Sequence, residues 1–589
     1  MCGIAGIMSR DGSAPDIRLL DRFAAALLHR GPDGEGRHAQ GDVAMVQRRL
    51  AIIDLVTGDQ PLYEPGGAAL VANGEIYNYI ELRQAMPETA FRTGSDCEAP
   101  LHLYRRDGLE FARSLRGMYA IAIHDPAEGR LVLARDPFGI KPLYYVETAT
   151  LFAFASEPQA LVAAGLVRPE LAPEPRDELL QLQFTCGRHT IFRGIERVLP
   201  GETLVVQGGR VVERRRLPAL PEAADPPPAT TETALARLDA VLEESVALHQ
   251  RSDVPYGLFL SGGIDSASVL ALMARLNERP VRCFTVGFGG TAVHDERTHA
   301  RTLAAAVGAQ HVEVPFDEAD FLSLLPRVAA AMDEPAADYA VLPTWKLARE
   351  ASKDLKVVLS GEGGDELFGG YGRYRSVMRP WWLGGRTLRA RGTFDRLGVL
   401  RDERPGWRDG IAAAETMAAL PGRTRLQTAQ AVDIADWLPN DLLTKLDRCL
   451  MAHGLEGRTP FLDPAVARFA FPLPDARKVH KGRGKWLLRC WLDKVLPQAQ
   501  PFARKRGFTV PVGEWLHRNA ARLGPLVARD PAVAALCRPD RVAPLFAATD
   551  KRAGFAAWTL LFYALWHRRH MRGLDPGEGD VFDVLGSDG

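Results

Sequence analysis

The sequence predicts a two-domain protein: an α+β domain with two β-rich layers covered by helices, then an α/β domain that contains a parallel sheet. Three observations predict this division. Short apolar runs separated by Gly, Pro and Asp turns fill the chain up to residue 213. A stretch rich in proline and small residues, 214–231, cannot support a periodic element. From Glu232 onward, long helical segments alternate with buried strands, and after about residue 376 the pattern is largely helical.

The first domain combines an amphipathic helix with several short strands. A helix is predicted over 16–29, because Leu19, Phe23 and Leu27 recur at i, i+4 and i+8 and form one apolar face. Short apolar runs bounded by turn residues predict strands at 43–46, 51–55, 69–72, 118–124, 131–134 and 151–155.

The second domain follows a stiff connection. Residues 214–231 read RRRLPALPEAADPPPATT and form the predicted linker, which places the domains at 2–213 and 232–589. Buried strands of the parallel sheet are predicted at 255–260, 282–287 and 356–359. The longest apolar stretch, 555–566, is too short to span a bilayer and predicts a buried helix.

Composition excludes several classes of protein. The chain has 589 residues, 46% hydrophobic and 25% charged, which is ordinary for a globular protein. Its 73 Lys and Arg balance 73 Asp and Glu, so neither a nucleic-acid nor a membrane partner is expected. The seven cysteines stand singly, without a C-x-x-C pair or zinc spacing, and predict a reducing compartment. The amino terminus lacks the basic flank and long apolar core of a signal peptide, so a cytoplasmic location is expected.

Cys2 directly follows the initiator methionine. Removal of Met1 would leave a cysteine whose free α-amino group has an ordinary pKa near 7.7–8.0 and can act as a base. The thiolate on the same residue is the attacking species in acyl chemistry, so one residue could supply both nucleophile and base. A cysteine at this position can also be incidental.

The residues that follow Cys2 form ordered blocks. They are Cys2-Gly3-Ile4, HRGPDG at 29–34, RLAIID at 49–54, NGEIYN at 73–78, GSD at 94–96 and RDPFGIKPLYY at 135–145. The series resembles the class II, N-terminal-nucleophile glutamine amidotransferases. The resemblance implies an αββα sandwich for the first domain and a catalytic role for Cys2.

The same resemblance implies the residues that bind glutamine. Attack on the side-chain amide creates an oxyanion, which the Asn73 amide and the Gly74 backbone N–H would stabilise. Arg49 and Asp96 have the charges needed for the α-carboxylate and α-ammonium of glutamine, with Glu75 assisting. An ion pair at a loop is the alternative reading for these charged residues.

The second domain carries a glycine-rich loop, SGGIDS at 261–266. It lies between the apolar run 254–260 and the helical run 267–276, where backbone N–H groups at a helix N-terminus form an anion site. No G-x-x-x-x-G-K-[ST] sequence occurs. The loop instead resembles the pyrophosphate loop of enzymes that split ATP into AMP and pyrophosphate.

Further blocks extend that resemblance. They are DEP at 333–335, SGEGGDELFGGY at 360–371, EGRTPFLD at 456–463, GKWLLR at 484–489 and RKRGF at 504–508. Together they resemble the synthetase domain of the glutamine-dependent asparagine synthetases. With the blocks of the first domain, the resemblance to this family extends from residue 2 to about 516. Residues 378–417 and the tail after 530 match nothing we can assign.

The resemblance implies a complete set of nucleotide and acceptor residues. Asp265 and Asp365 would hold Mg²⁺. Glu362 would lie where the acceptor carboxylate meets ammonia, and Lys485 would neutralise charge on phosphorus. An acidic residue within 441–447 is a further candidate. The ATP-binding residues implied are Leu260, Ser261, Gly262, Gly263, Asp265, Ser266, Val286, Ser360 and Gly361.

Joined together, the two halves predict an ATP-dependent amidotransferase. Glutamine and a carboxylate would give glutamate, an amide, AMP and pyrophosphate, with ammonia passing through a sealed apolar conduit whose entrance candidates are Leu50 and Ile52. Aspartate is the expected acceptor, and another carboxylate such as a small peptide is the alternative. Ring-closing relatives typically lack the cysteine, so Cys2 counts against them. A plain glutaminase and a non-catalytic scaffold are the other readings, and the family suggests a homodimer.

Overall fold

A computed structural model describes residues 2–222, 229–291, 293, 295–503 and 510–587. The block at 504–508 and residues 223–228 of the predicted linker lie outside the described residues. In the part that is described, no helix is both long enough and apolar enough to cross a membrane.

The first domain is built from two antiparallel sheets. Its strands are β1 (Gly3–Ser9), β2 (Gly34–Gln40), β3 (Val43–Arg49), β4 (Leu62–Tyr63), β5 (Ala69–Ile76), β6 (Gly117–Asp125), β7 (Arg130–Arg135), β8 (Tyr144–Glu147), β9 (Leu151–Ala155), β10 (Glu196–Arg197), β11 (Glu202–Gln207) and β12 (Arg210–Arg216). One sheet has the order β10-β8-β9-β1-β3-β2 and the other β12-β11-β7-β6-β5-β4.

Helices cover the outer faces of both sheets. They are α1 (Arg18–Ala26), α2 (Tyr79–Gln84), α3 (Glu98–Asp107), α4 (Pro158–Ala163) and α5 (Pro173–Leu182). Between the sheets, Ile4 of β1 shares a buried apolar core with Val71 of β5. On the outside, Phe23 of α1 packs in one cluster and Leu101 of α3 in another. Because side chains alternate along each strand, every sheet packs one face against the other sheet and its opposite face against helices. The expected αββα layering is confirmed.

One predicted strand is wrong. Residues 51–55 form a loop after β3, although they are apolar. The Arg49 guanidinium donates hydrogen bonds to the carbonyls of Ile53, at 3.4 Å, and Asp54, at 2.6 Å, which folds the chain back. Ile52 is buried in a cluster that continues into the second domain, so its burial comes from the domain interface and not from a sheet.

The second domain contains the expected parallel sheet. Its strands are β13 (Tyr256–Phe259), β14 (Arg282–Phe288), β15 (Gln310–Phe316), β16 (Val357–Leu359) and β17 (Glu456–Arg458), in the order β15-β14-β13-β16-β17. All four strand pairs are parallel. The carboxyl ends of β13 and β16 therefore lie side by side, and both lead into glycine-containing loops.

Helices make up most of the rest of the chain, in agreement with the sequence. They are α6 (Thr231–His249), α7 (Ile264–Leu276), α8 (Arg297–Ala306), α9 (Glu318–Ala331), α10 (Val341–Ala351), α11 (Gly364–Phe368), α12 (Gly372–Met378), α13 (Asp409–Ala418), α14 (Arg425–Val432), α15 (Leu443–Met451), α16 (Pro464–Ala470), α17 (Asp475–Lys478), α18 (Trp486–Val495), α19 (Val512–Arg518), α20 (Ala520–Arg529), α21 (Pro531–Leu536), α22 (Pro539–Ala547), α23 (Lys551–His570) and α24 (Val581–Gly586).

Three of these details bear on the predictions. Residues 214–216 extend β12, so the start of the predicted linker is strand. A π-helix, Asp433–Leu442, leads directly into α15. The apolar stretch 555–566 lies within α23, whose Trp558 and Trp566 are buried, as predicted.

Candidate active sites

Cys2 lies at the start of β1, against the middle of β5 in the opposite sheet. Its backbone N–H donates a hydrogen bond to Asn73 Oδ1 at 3.1 Å, and Gln47 Nε2 of β3 approaches the thiol sulfur at 2.8 Å. The residue is 7% exposed. Burial raises the pKa of the Cys2 thiol, while the backbone N–H of Leu50 opposes that rise. Gln47 was not among the sequence-predicted residues, because a glutamine within a strand carries no motif.

Asn73 and Gly74, the residues predicted to stabilise the oxyanion, are neighbours in β5. Asn73 is fully buried, and its Nδ2 has no hydrogen-bond partner among the described residues. A Cβ on Gly74 would lie 2.1 Å from the carbonyl oxygen of Met118, so only glycine fits at this point of β5. A buried amide donor without a partner is costly unless a ligand satisfies it.

The predicted glutamine-binding residues gather near Cys2. Asp96 accepts a hydrogen bond from the backbone N–H of Ile76 at 2.7 Å and is buried beside Glu75. Burial raises the pKa of Glu75, and the Asp96 carboxylate raises it further. Arg49 is held by Asp59 at 2.7 Å and by the loop carbonyls. Glu75 and Arg49 thus act electrostatically on Cys2, and Asp96 acts on Glu75, while the glutamine-binding roles of these residues stay predictions.

Two arginines that sequence reasoning missed tie this site to the second domain. Arg30 Nε donates to the carbonyl of Cys2 at 3.2 Å, and its two Nη atoms donate to Asp447 of α15 at 2.8 and 3.0 Å. Arg458 of β17 lies 3.5 Å from Glu75. Both arginines are fully buried. Arg30 belongs to the sequence block at 29–34 and Arg458 to the block at 456–463, and membership of these blocks was the one feature of the sequence that could have marked them as functional residues.

The glycine-rich loop joins β13 to α7, as predicted. Ser266 Oγ accepts a hydrogen bond from the Ser261 backbone N–H at 3.1 Å and holds the turn closed. The backbone N–H of Gly262 donates to the Glu296 carboxylate at 3.1 Å. A carboxylate of the protein therefore occupies one N–H group of this loop, and phosphate binding by the loop stays a prediction.

Lys485 lies between the two predicted metal ligands. Its ammonium contacts Asp265 of α7 and Asp365 of α11, the latter at 2.8 Å. Burial opposes the charge, but the two carboxylates outweigh it and raise the pKa of Lys485 well above the ordinary value. A Cβ on Gly370 would lie 1.7 Å from Asp365 Oδ1, so glycine is required there. The Lys485 backbone is left-handed, with φ of 57°, which directs the chain into α18.

These residues share one cavity of about 530 Å³. Among the described residues, its wall includes Ser261, Gly262, Gly263, Asp265, Asp365 and Lys485 from the predicted set. Leu260, Ser266, Val286, Ser360 and Gly361, also predicted for ATP, do not contribute to that wall. They support it instead: the Leu260 backbone N–H donates to the Phe284 carbonyl at 2.9 Å, for example.

Glu362 lies in the loop between β16 and α11. Burial raises its pKa, and the Lys445 ammonium opposes that rise. Asp365 and Asp265 also act on it electrostatically. Glu362 therefore lies within electrostatic range of both Asp365 and Lys445, although it does not contribute to the cavity wall, and its role near the acceptor stays a prediction.

Leu50 and Ile52, the predicted entrance to the conduit, are buried at 3% and 1% exposure. Their apolar cluster includes Leu258 and Leu260 of the second domain. Apolar packing is thus continuous between the two sites, and the conduit itself stays a prediction.

Comparison with known proteins agrees with this organisation. Residues 1–216 match the family model of the glutamine amidotransferase domain, so this part of the chain is a glutamine amidotransferase domain. Residues 237–568 match the asparagine synthase model. The chain belongs to the asparagine synthase family.

Two relatives extend over nearly the whole chain. A putative glutamine-hydrolyzing asparagine synthetase of Mycobacterium tuberculosis (strain ATCC 25618 / H37Rv) is 34% identical over 642 aligned residues, covering 96% of this chain and 97% of the relative. The glutamine-hydrolyzing asparagine synthetase 1 of Bacillus subtilis (strain 168) is 32% identical over 619 aligned residues, covering 96% of each.

Proposed function

We propose that this protein is a glutamine-hydrolysing asparagine synthetase, a carbon–nitrogen ligase that uses ATP and aspartate. The observation that carries the proposal is the Lys485 ammonium between Asp265 and Asp365, in the cavity that the 261–263 loop opens. A glutamine amidotransferase domain in the same chain would supply the nitrogen.

In the first domain, removal of Met1 would free the Cys2 α-amino group to take the thiol proton. The thiolate attacks the carboxamide carbon of glutamine, and the Asn73 amide and Gly74 N–H stabilise the oxyanion. Ammonia leaves as the thioester forms, and water then hydrolyses the thioester to glutamate. Asp96 and Glu75 bind the α-ammonium of glutamine, and Arg49 its α-carboxylate.

In the second domain, the β-carboxylate of aspartate attacks the α-phosphorus of ATP, forming β-aspartyl-AMP and releasing pyrophosphate. The backbone N–H groups of 261–263, which donate to the Glu296 carboxylate and to the Ser261 and Ser266 hydroxyls in this structure, would exchange these acceptors for phosphate oxygens. Lys485 neutralises charge that develops on phosphorus. Ammonia then attacks the acyl carbon, AMP leaves, and asparagine forms. Glu362 takes the proton that the attacking nitrogen loses, which its raised pKa favours.

The residues present fit Mg²⁺. Two carboxylates, those of Asp265 and Asp365, converge on the Lys485 ammonium. The described residues contain no cluster of three or more His, Cys, Asp or Glu that could hold a metal ion. Magnesium typically takes one or two carboxylates together with substrate phosphates. When bound, it would neutralise the triphosphate and the departing pyrophosphate.

Three further expectations belong to this proposal. The glutaminase and synthetase units divide at the linker 214–231, the protein is cytoplasmic, and it forms a homodimer. Sedimentation would test the dimer.

The first experiment is pyrophosphate release from ATP and Mg²⁺ across a panel of carboxylates that includes aspartate and aspartyl peptides. We expect release with aspartate, and asparagine as the product. Activity only with a peptide would keep the mechanism and change the acceptor. Silence with every carboxylate would refute the proposal.

The Cys2→Ala variant tests the division of labour. It should lose glutamine-dependent synthesis and keep synthesis from free ammonia. Cys490→Ala is the matched control, because that half-buried thiol lies outside both sites, and it should keep both activities. Loss of both activities in folded Cys2→Ala protein would show that the two sites are not separate.

A further inference from the structure

Arg389 has an unusual backbone conformation. It lies in the stretch 378–417, which no motif explains, and its φ is +46°. An arginine in the left-handed region costs free energy, because its Cβ crowds the backbone there. Such residues persist where the surroundings impose them, and they concentrate at functional sites.

The side chain of Arg389 enters the cavity that holds Lys485. Its guanidinium carbon lies 4.8 Å from the ring centre of Phe184 and 5.0 Å from that of Trp437. Nε and Nη2 are buried and have no hydrogen-bond partner among the described residues. Burial lowers the pKa of Arg389, and the neighbouring Arg373 lowers it further. A buried guanidinium in this state lacks a ligand that accepts hydrogen bonds.

A carboxylate, which carries the opposite charge, lines the same cavity. Asp441 accepts a hydrogen bond from Trp437 Nε1 at 2.6 Å through Oδ2, while Oδ1 is buried without a hydrogen-bond partner among the described residues. The nearby Lys445 is already engaged, since it donates to Asp338 at 2.8 Å. Among the described residues, the cavity wall thus presents a guanidinium and a carboxylate that each have polar atoms without a hydrogen-bond partner, and the two groups lie within electrostatic range of each other.

We propose that Arg389 binds the non-reacting carboxylate of the acceptor and that Asp441 binds its ammonium group. The acceptor is then a free α-amino dicarboxylic acid, because a peptide bond would remove one of the two charges. The inference rests on the proposed function, since it assigns the acceptor end of the same cavity. Leu182 and Gln183 of the first domain also line the cavity, so both domains contribute to its wall.

The chemistry of the two groups supports this assignment. A guanidinium binds a carboxylate through two parallel hydrogen bonds, and charge-assisted bonds are about twice as strong as neutral ones. A site built around such groups rejects analogues that lack the matching charge, because its own buried groups then stay unpaired. Aspartate, β-alanine and succinate therefore separate the two contacts: β-alanine lacks the α-carboxylate and succinate lacks the ammonium.

The test compares Arg389→Met with Arg391→Met in ammonia-dependent synthesis. Arg391 is an exposed arginine of the same loop and serves as the matched control. Arg389→Met should raise the KM for aspartate about 10- to 100-fold and leave the KM for ATP and the glutaminase activity unchanged. Arg389→Met should also lose the preference for aspartate over β-alanine. Asp441→Asn should lose the preference for aspartate over succinate.

Arg389→Gly separates binding from folding. Glycine adopts positive φ without a Cβ penalty, so this variant should have a Tm at least equal to that of the wild type while it loses aspartate binding. Equilibrium dialysis with labelled aspartate and a non-hydrolysable ATP analogue measures binding without chemistry. If the wild type binds aspartate through Arg389 but makes no asparagine, the proposed function fails and this inference stands. If Arg389→Met and Arg389→Gly bind aspartate as the wild type does, this inference is wrong.

Discussion

Replacement of Arg458 by methionine should weaken both the fold and the glutamine site, because this arginine lies between two buried carboxylates of different domains. Its guanidinium pairs with Glu456 on β17 and lies 3.5 Å from Glu75 of the first domain. It also donates to the carbonyls of His249, at 2.9 Å, and Arg251, at 2.7 Å.

The size of the effect follows from burial. Arg458 and Glu456 are each 0% exposed, so removal of the cation leaves the Glu456 carboxylate buried without the guanidinium that pairs with it. Breaking a buried ion pair by removing one member typically costs about 3–5 kcal/mol. Lys353→Met removes an exposed pair with Glu350, which should cost about 0–1 kcal/mol, and serves as the control.

The pair also predicts a pH dependence. Burial opposes ionisation of Glu456, but Arg458 outweighs it and holds the pKa of Glu456 below its ordinary value. The unfolded chain therefore binds this proton more readily, so the contribution is present at neutral pH and is lost as the pH falls below about 4. Arg458→Met should reduce that acid sensitivity.

Urea unfolding at neutral and acidic pH, with the KM for glutamine measured in parallel, tests this reasoning. We expect a lower unfolding midpoint and a higher KM for glutamine, because Glu75 loses its partner. A loss of less than about 1 kcal/mol with an unchanged KM for glutamine would refute the argument that this contact couples the domains.

Three other predictions use the same physical reasoning. Lys478 is fully buried, and burial lowers its pKa to about 7. Between about pH 7 and 9 only the unfolded chain binds this proton, so the free energy of unfolding of the wild type should rise by about 2–3 kcal/mol relative to that of Lys478→Met. Urea midpoints that change in parallel for the two proteins over this range would contradict the prediction. Gly370→Ala should reduce pyrophosphate release about 100-fold by displacing Asp365, whereas Gly372→Ala, whose Cβ would meet only the end of an arginine side chain, should leave it unchanged. Asn73→Ala should lower glutaminase kcat about 100- to 1,000-fold and spare ammonia-dependent synthesis; equal losses in both assays would argue against an oxyanion role.

Most of the layering could be predicted from the sequence, because it follows from local periodicity. The short apolar runs at 69–72 and 118–124 lie in β5 and β6, and the i, i+4 pattern of Leu19 and Phe23 lies in α1. The error at 51–55 has a tertiary cause. Ile52 and Ile53 are buried in a cluster shared with the other domain, whereas Leu55 is 48% exposed. A periodicity argument cannot distinguish burial by a sheet from burial by a neighbouring domain.

The sequence by itself determined which chemical groups this protein possesses. Cys2, the 261–266 loop and Lys485 stand in blocks whose order and spacing identify a family without coordinates. Those blocks are local, so a linear reading finds them.

The tertiary structure alone decided which groups meet. It brought Arg30 of the first domain to Asp447 of the second, and it put Arg389, from a stretch without any motif, into the cavity of Lys485. Such contacts join residues far apart in the chain, and they depend on burial. An arginine next to water has little need of a partner, whereas the same arginine inside the protein must find a carboxylate or await a ligand that supplies one.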